Sequence, residues 1–155
     1  QGSRFKKIYS VDHHFLRGIY TSQKRASVSQ EVLSALDRYV SEGDYTLIYD
    51  NSPMLHYLTQ TKPYAYNPWL YLYDKDLLQV ALSRAGRERQ ALPGVVLQRF
   101  KGLWIEWPDG YSDDYMANDA NKGKNLLINR FLHKNKYLKI WTNGYYEIWL
   151  PKYEK

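Results

Sequence analysis

The stretch YTLIYD at residues 45–50 decides how this chain folds. It is β-branched, aromatic and apolar, and turn-forming residues flank it, a pattern that predicts a largely buried strand. A second stretch of this kind, GVVLQRF, occupies residues 94–100. Helical patterns separate the two, so we expect the strands to lie parallel and to be joined by a right-handed crossover.

Helices are expected before and after this pair of strands. Apolar residues at helical spacing predict a first helix over residues 28–42. Ser27 and Gln30 fit a capping box for it, and Gly43 fits the position just past its end. The last helix is expected over residues 123–134.

Two more helices are expected between the strands. The first has Ser52 as its N-cap and runs from Pro53 to about Gln60, where Lys62-Pro63 stops it. The second begins after Asp74, which is a suitable cap. Its inner face is expected to consist of Leu77, Leu78, Ala81, Leu82 and Ala85.

The C-terminal part of the chain carries a hairpin signal. Residues 137–141 and 145–150 flank Asn143-Gly144, and Asn-Gly between two alternating strands is a strong indicator of a tight turn. We expect Trp141 and Trp149 to pack across this hairpin.

Composition agrees with one folded unit. The chain has 155 residues, 44% hydrophobic and 25% charged, with a net charge of +6 and no apolar run long enough to span a membrane. Residues 1–3 resemble a cloning remnant, which leaves residues 4–155 as a single domain. The predicted fold class is α/β, with a mixed sheet, a parallel core pair, flanking helices and a C-terminal antiparallel hairpin.

Motif patterns exclude several classes of chemistry. Cysteine is absent, which excludes disulfide scaffolds, thiolate catalysis and cysteine-based zinc sites. No GxxxxGKS/T, GxGxxG or GxSxG motif occurs, and no HxxxH or HExxH spacing joins the histidines, which are His13, His14, His56 and His133. The sequence therefore indicates no metal, no cofactor and no catalytic residue.

Aromatic residues supply the best binding candidates. The chain has 16 tyrosines and 5 tryptophans. These side chains are favoured where an apolar surface borders water, as at carbohydrate sites and membrane interfaces. Many lie in the loop at residues 63–73, for which packing over the sheet edge is the competing interpretation. Polar groups that follow the first strand add to this set, because ligands of open α/β sheets bind beyond the carboxyl ends of strands. The candidate ligand-binding residues are Asp50, Asn51, His56, Tyr64, Tyr66, Trp69 and Tyr71. For His56, an ordinary structural histidine is the favoured interpretation, and a binding role is the alternative.

Two charged clusters have plainer interpretations. Asp109, Asp113, Asp114 and Asp119 share a long loop at about residues 102–121. They lack the EF-hand spacing, so we expect a solvated loop.

The densest basic group is Lys122, Lys124, Arg130, Lys134, Lys136 and Lys139. We expect a solvated helix face there, or a face beside anionic lipid headgroups. Nucleic acid is not favoured as a partner, because no RNP or helix-turn-helix motif accompanies the group.

Several short motifs together resemble one family. They are Gly18–Ser22, Arg25-Ala26, Tyr39-Val40, Gly43–Tyr45, Tyr49–Asn51, Pro53-Met54, Leu58-Thr59, Thr61–Tyr64, Trp69, Leu92–Val96, Phe131, Tyr137 and Tyr146–Ile148. This set is similar to the soluble C-terminal extracytoplasmic domain of polytopic bacterial membrane proteins. The nearest named relatives are the dolichyl-phosphate-mannose mannosyltransferase and aminoarabinose-transferase-like glycosyltransferases of the GT-C type. The resemblance covers about residues 15–150.

The resemblance implies a location and a role. The domain would lie in the periplasm, on the extracytoplasmic face of the bacterial inner membrane, as a non-catalytic part of a lipid-linked sugar transferase or relative. It would cover the membrane-embedded active site or contact acceptor glycan. Its partners would be the membrane-embedded remainder of the parent chain, a lipid-linked sugar or glycan acceptor, and anionic lipid headgroups. In that family the catalytic acidic residues lie between the first transmembrane helices, so no catalytic residue is carried over.

Other classes of function stay open. One is a free-standing soluble enzyme with a site near Asp50, His56 and the aspartate-rich loop. Another is a carbohydrate-binding module. A third is a nucleic-acid-binding module, whose affinity would fall steeply with salt.

Overall fold

The structure is a computed structural model, which describes residues 7–100 and 119–152. Its helices are α1 (Gln23–Tyr39), α2 (Met54–Leu58), α3 (Lys75–Glu88) and α4 (Asp119–Lys134). Its strands are β1 (Tyr9–Ser10), β2 (Tyr20–Thr21), β3 (Tyr45–Tyr49), β4 (Lys62–Pro63), β5 (Gly94–Gln98), β6 (Tyr137–Thr142) and β7 (Tyr146–Pro151). Short 3-10 turns lie at His14–Leu16 and Leu70–Leu72.

A mixed sheet organises the described part of the chain. Its strand order is β4-β3-β5-β7-β6, and β1 pairs with β2 separately. Strand β3 lies parallel to both β4 and β5, whereas β7 lies antiparallel to β5 and β6. The predicted α/β class, with a parallel core pair and a C-terminal hairpin, is therefore confirmed.

Each face of the sheet is covered by helices. On one face, α1 and α2 pack against Ile48, Val96 and Ile148. On the other, α3 and α4 pack against Leu47, Val95 and Leu97. The central strands are thus buried from both sides, which explains why their sequences are apolar throughout.

The C-terminal turn forms as the Asn-Gly signal predicts. Gly144 has a φ of +81°, a conformation that glycine adopts without strain. The Asn143 side chain accepts hydrogen bonds from the backbone of Tyr145 and Tyr146. The predicted pairing of tryptophans is wrong, because Trp141 belongs to the α1 side of the sheet and Trp149 to the α3 side. The strands shift register between Lys139 and Trp141.

The first helix begins earlier than predicted. Its N-cap is Ser22, and Ser27 lies within the helix and donates a hydrogen bond to Glu31. Gly43 lies in the turn before β3 rather than at the helix end, which is at Tyr39. The extra turn is polar, so apolar periodicity alone does not reveal it.

The connection after β3 also differs from the prediction. Helix α2 ends at Leu58, and the Ser52 hydroxyl bonds to Gln98 and Tyr146 instead of capping it. Lys62-Pro63, expected only to stop the helix, forms strand β4 at the edge of the sheet. Proline is tolerated at an edge because a ladder hydrogen bond is not required there.

The third and fourth helices are mostly as expected. Asp74 caps α3, but Leu77 is 48% exposed and does not belong to the inner face. Helix α4 begins at Asp119, so the predicted loop ends before residue 121. Asp109, Asp113 and Asp114 lie outside the described residues, and the prediction of a solvated aspartate loop stays untested there.

The cap of α3 offers a direct test of this local physics. The Asp74 carboxylate accepts a hydrogen bond from the Leu77 backbone at 2.8 Å, whereas Ser22 makes no such bond at the start of α1. We expect Asp74→Ala to lower the free energy of unfolding by about 1 kcal/mol. Ser22→Ala is the matched control and should cost clearly less. Urea unfolding of both variants measures the difference, and equal losses would contradict the assignment of Asp74 as the working cap.

Candidate functional site

Polar and aromatic groups converge where β3 ends. Asp50 follows the strand and is 1% exposed. Its carboxylate lies 3.6 Å from the Lys124 ammonium, and its backbone carbonyl accepts a hydrogen bond from the Tyr71 amide at 3.1 Å. We call the group Asp50, Asn51, Trp69, Tyr71 and Lys124 the carboxyl-edge site.

Two aromatic rings form the exposed part of this site. Trp69 and Tyr71 are 36% and 45% exposed, with ring centroids 6.3 Å apart and planes inclined by 27°. The Trp69 indole donates a hydrogen bond to the Asn51 side chain. The Lys124 ammonium lies 5.5 Å from the centroid of the Tyr71 ring, within the range of a cation–π contact. Asn51 and Lys124 therefore hold the two rings in place, and both rings remain partly exposed to solvent.

Helix α4 supplies the base of the site. Asn121, Lys124 and Asn125 share one helix face, since they are three and four residues apart. The Asn121 amide lies 3.5 Å from the second carboxylate oxygen of Asp50. Asn125 accepts a hydrogen bond from the Tyr49 hydroxyl at 2.6 Å. One helix face thus fixes both the end of β3 and the aromatic segment.

A second polar network lies at the same edge of the sheet. The Ser52 hydroxyl contacts Gln98 and lies 3.0 Å from the Tyr146 hydroxyl, which links β3, β5 and β7. Burial raises the pKa of Tyr146 to about 12. Tyr146 therefore stays neutral, and the network serves as a structural clamp.

The structure does not bring His56 into this site. The ring Nδ1 of His56 lies 3.1 Å from the Thr46 hydroxyl and 3.3 Å from that of Thr61. Thr46 precedes Asp50 by four residues of extended chain, a span of about 13 Å. Burial lowers the pKa of His56 to about 4, so the ring is neutral at physiological pH. His56 is a hydrogen-bonded core residue.

Tyr64 and Tyr66 are also separate from Trp69 and Tyr71. The Tyr64 backbone pairs with Thr46, near the amino end of β3. Its side chain is buried, and burial raises the pKa of its hydroxyl. The Tyr66 hydroxyl donates a hydrogen bond to Glu88, which raises the pKa of Tyr66 and lowers that of Glu88. The aromatic loop therefore divides into two groups, one at each end of β3.

Sequence reasoning missed the residues of α4. Lys124 was expected on a solvated basic face, yet it is 6% exposed and paired with Asp50. The only sequence signal was the spacing of Asn121, Lys124 and Asn125, which does not indicate what that face contacts. Among residues 7–100 and 119–152, no group of three or more histidine and acidic side chains is placed to hold a metal ion.

Comparisons with known proteins add no relative to this description. No family model, curated protein or solved structure matches the chain.

Among the helices that the structure describes, none combines the length and the apolar character that a bilayer span requires.

The position of His56 gives a pH-dependent contribution to stability. An unfolded histidine titrates near its ordinary pKa of 6.5, whereas His56 in the folded chain titrates near 4. Between these values the unfolded state binds the proton and the folded state does not, so stability falls as the pH falls. We expect this one group to remove about 3 kcal/mol of unfolding free energy between about pH 7 and pH 4.

A variant pair isolates this contribution. Urea unfolding at several pH values should show a shallower pH dependence for His56→Gln than for the wild-type chain. His133→Gln removes an exposed imidazole instead and should retain the wild-type slope. The assignment is wrong if His56→Gln and the wild-type chain lose stability in parallel.

Proposed function

We propose that this chain is the non-catalytic extracytoplasmic domain of an integral membrane, glycosyltransferase-like protein of bacteria, located in the periplasm. Its role is to contact acceptor glycan at the carboxyl-edge site. The observation that carries the proposal is the exposed, nearly parallel pair of Trp69 and Tyr71 beside buried polar groups. The family resemblance of the sequence motifs supplies the cellular setting.

The chemistry of a sugar ring suits this arrangement. A sugar has an apolar face of C–H groups and a rim of hydroxyls, and aromatic rings with an adjacent polar group match both. Trp69 and Tyr71 provide the apolar area, and Asn51 lies next to Trp69 as an amide partner. The site also lies beyond the carboxyl end of a parallel strand, where ligands of open α/β sheets bind.

The same contacts support a binding role rather than catalysis. Asp50 is buried and held by Lys124, and the backbone carbonyl of Asp50 anchors Tyr71. These contacts position the aromatic segment. The histidine nearest in sequence, His56, is neutral and hydrogen-bonded to Thr46 and Thr61, and Thr46 precedes Asp50 by about 13 Å of extended chain. The alternative of a free-standing enzyme with a site near Asp50 and His56 finds no support in these contacts.

In the parent protein, the domain would cover the membrane-embedded site and hold the acceptor there. Its partners would then be the remainder of the chain, a lipid-linked sugar or glycan acceptor, and the anionic headgroups nearby. The native gene upstream of Arg4 tests this setting. We expect several apolar segments of about 20 residues each. A signal peptide directly before Arg4 would overturn the membrane part of the proposal.

Glycan titrations test the binding role. Mannotriose, cellotriose and chitotriose are added to the isotopically labelled chain, and the indole N–H resonance of Trp69 is followed by NMR. We expect at least one of these sugars to shift that resonance with saturation. Trp69→Ala and Tyr71→Ala should each weaken binding about fivefold or more, because an aromatic contact is worth about 1 kcal/mol beyond its buried area.

Tyr39 provides the matched control. It is 37% exposed, close to the 36% of Trp69, but it lies at the end of α1. Tyr39→Ala should bind the sugar like the wild-type chain. Equal weakening by Tyr39→Ala would show that the contact is nonspecific, and release of reducing sugar by the purified chain would overturn the non-catalytic assignment.

A further inference from the structure

A concave surface lies at the amino ends of the parallel strands, opposite the carboxyl-edge site. Its volume is about 690 Å³, within the range of ligand pockets. The last turns of α3 and α4 and the chain entering β5 form its walls. Four cations line it, Arg87, Arg89, Arg130 and Lys134, and we call it the basic cavity. None of the described residues that line it is acidic.

Arg89 is held by aromatic rings instead of by carboxylates. Its guanidinium carbon lies 3.8 Å from the centroid of Tyr45, 4.7 Å from that of Tyr66 and 5.4 Å from that of Tyr64. Its Nε and Nη1 atoms are buried and donate no hydrogen bond to any described residue. The nearby carboxylate of Glu88 is engaged by Arg84 and Tyr66. These two nitrogens are closed off from the cavity, so Arg89 contributes its positive charge to the cavity rather than these two donors.

The helix dipole does not account for this cluster by itself. Cations favour the last turn of a helix, which explains Arg87 on α3 and Lys134 on α4. Arg130 lies one turn earlier, and Arg89 lies beyond the end of α3. Arg38, in the last turn of α1, fits the dipole argument equally well but lines no part of this cavity.

The structure also divides the basic group seen in the sequence. Lys124 pairs with Asp50, and Lys139 lies 3.2 Å from Glu147. Arg130 and Lys134 instead join Arg87 and Arg89 from a distant part of the chain. Two members of the group are thus paired with carboxylates, and two others converge on one concave site.

We propose that the basic cavity binds a phosphate-bearing group. Arginine presents a planar fork of donors that matches two phosphate oxygens, and three of the four cations here are arginines. Apolar side chains, Leu82, Leu92 and Phe131, line another part of the cavity. Free phosphates and lipid headgroups share this chemistry. The proposal does not depend on glycan binding, because the two sites lie at opposite edges of the sheet.

Calorimetric titration with inorganic pyrophosphate tests the proposal. We expect saturable binding that Arg130→Gln and Lys134→Gln each weaken about tenfold, the effect of losing a charged hydrogen bond. Arg38→Gln is the matched control, since it removes the same charge from an exposed helix end, and its affinity should stay at the wild-type value. Glycan binding should be unchanged in all three variants, which separates this test from that of the carboxyl-edge site.

Vesicle binding identifies the source of the phosphate. Phosphatidylcholine vesicles are compared with vesicles that also contain phosphatidylglycerol. If Arg130→Gln weakens binding to the anionic vesicles and pyrophosphate binds little, the proposal is supported with a lipid headgroup as the ligand.

Three outcomes would contradict the proposal. If Arg38→Gln weakens binding as much as Arg130→Gln in both assays, the attraction is a diffuse effect of net charge. Tighter binding of a single-stranded oligonucleotide than of pyrophosphate, with a steep salt dependence, would overturn it in favour of nucleic acid. Failure of pyrophosphate and of anionic vesicles to bind would also overturn it.

Discussion

The contact between Asp50 and Lys124 is the interaction on which the carboxyl edge of the sheet depends. Both side chains are removed from water, and desolvation of two charges is repaid only when the remaining donors and acceptors are satisfied. Two further contacts support the pair, since Asn121 approaches the second carboxylate oxygen and Lys124 donates to the Tyr71 carbonyl at 3.3 Å. One ion pair thus joins the end of β3, the last helix and the aromatic segment. Loss of the Asp50 charge would leave the Lys124 ammonium buried without this carboxylate.

The two ends of β3 carry different chemistry, and one stretch of chain connects them. Residues 62–71 begin as strand β4, which pairs with the amino end of β3. They then run to the carboxyl end of β3, where the Tyr71 amide donates to the Asp50 carbonyl. Within this segment, the Tyr66 ring contacts the Arg89 guanidinium, and the Tyr71 ring contacts the Lys124 ammonium. A single segment therefore contributes to both the glycan site and the phosphate site that we propose.

The sequence was sufficient for the central strands and the hairpin because those signals are local. An apolar run of strand length and an Asn-Gly pair encode their structure within a few residues. The N-cap Asp74 is local in the same sense. Element ends were less accurate, since the first turn of α1 is polar and strand β4 is only two residues long.

The site was predicted only in part, for a physical reason. Asp50, Asn51, Trp69 and Tyr71 were recognised from residue type and from their position after a strand. Lys124 was not, because its partner is 74 residues away in the chain and a lysine on a helix is ordinarily solvated. For His56, the structural interpretation that the sequence favoured agrees with its contacts. Its polar partners Thr46 and Thr61 make it a satisfied core residue, and only the packed structure shows that.

The two outer strands of the sheet limit how copies of this domain can associate. Strand β4 is short and contains Pro63, which has no N–H to offer a neighbour. Strand β6 is longer, but its ladder is interrupted between Lys139 and Trp141, and lysine on an edge opposes pairing with another strand. Neither border offers a regular template for sheet extension. Many copies crowded along one surface would therefore be protected against joining edge to edge into a continuous sheet.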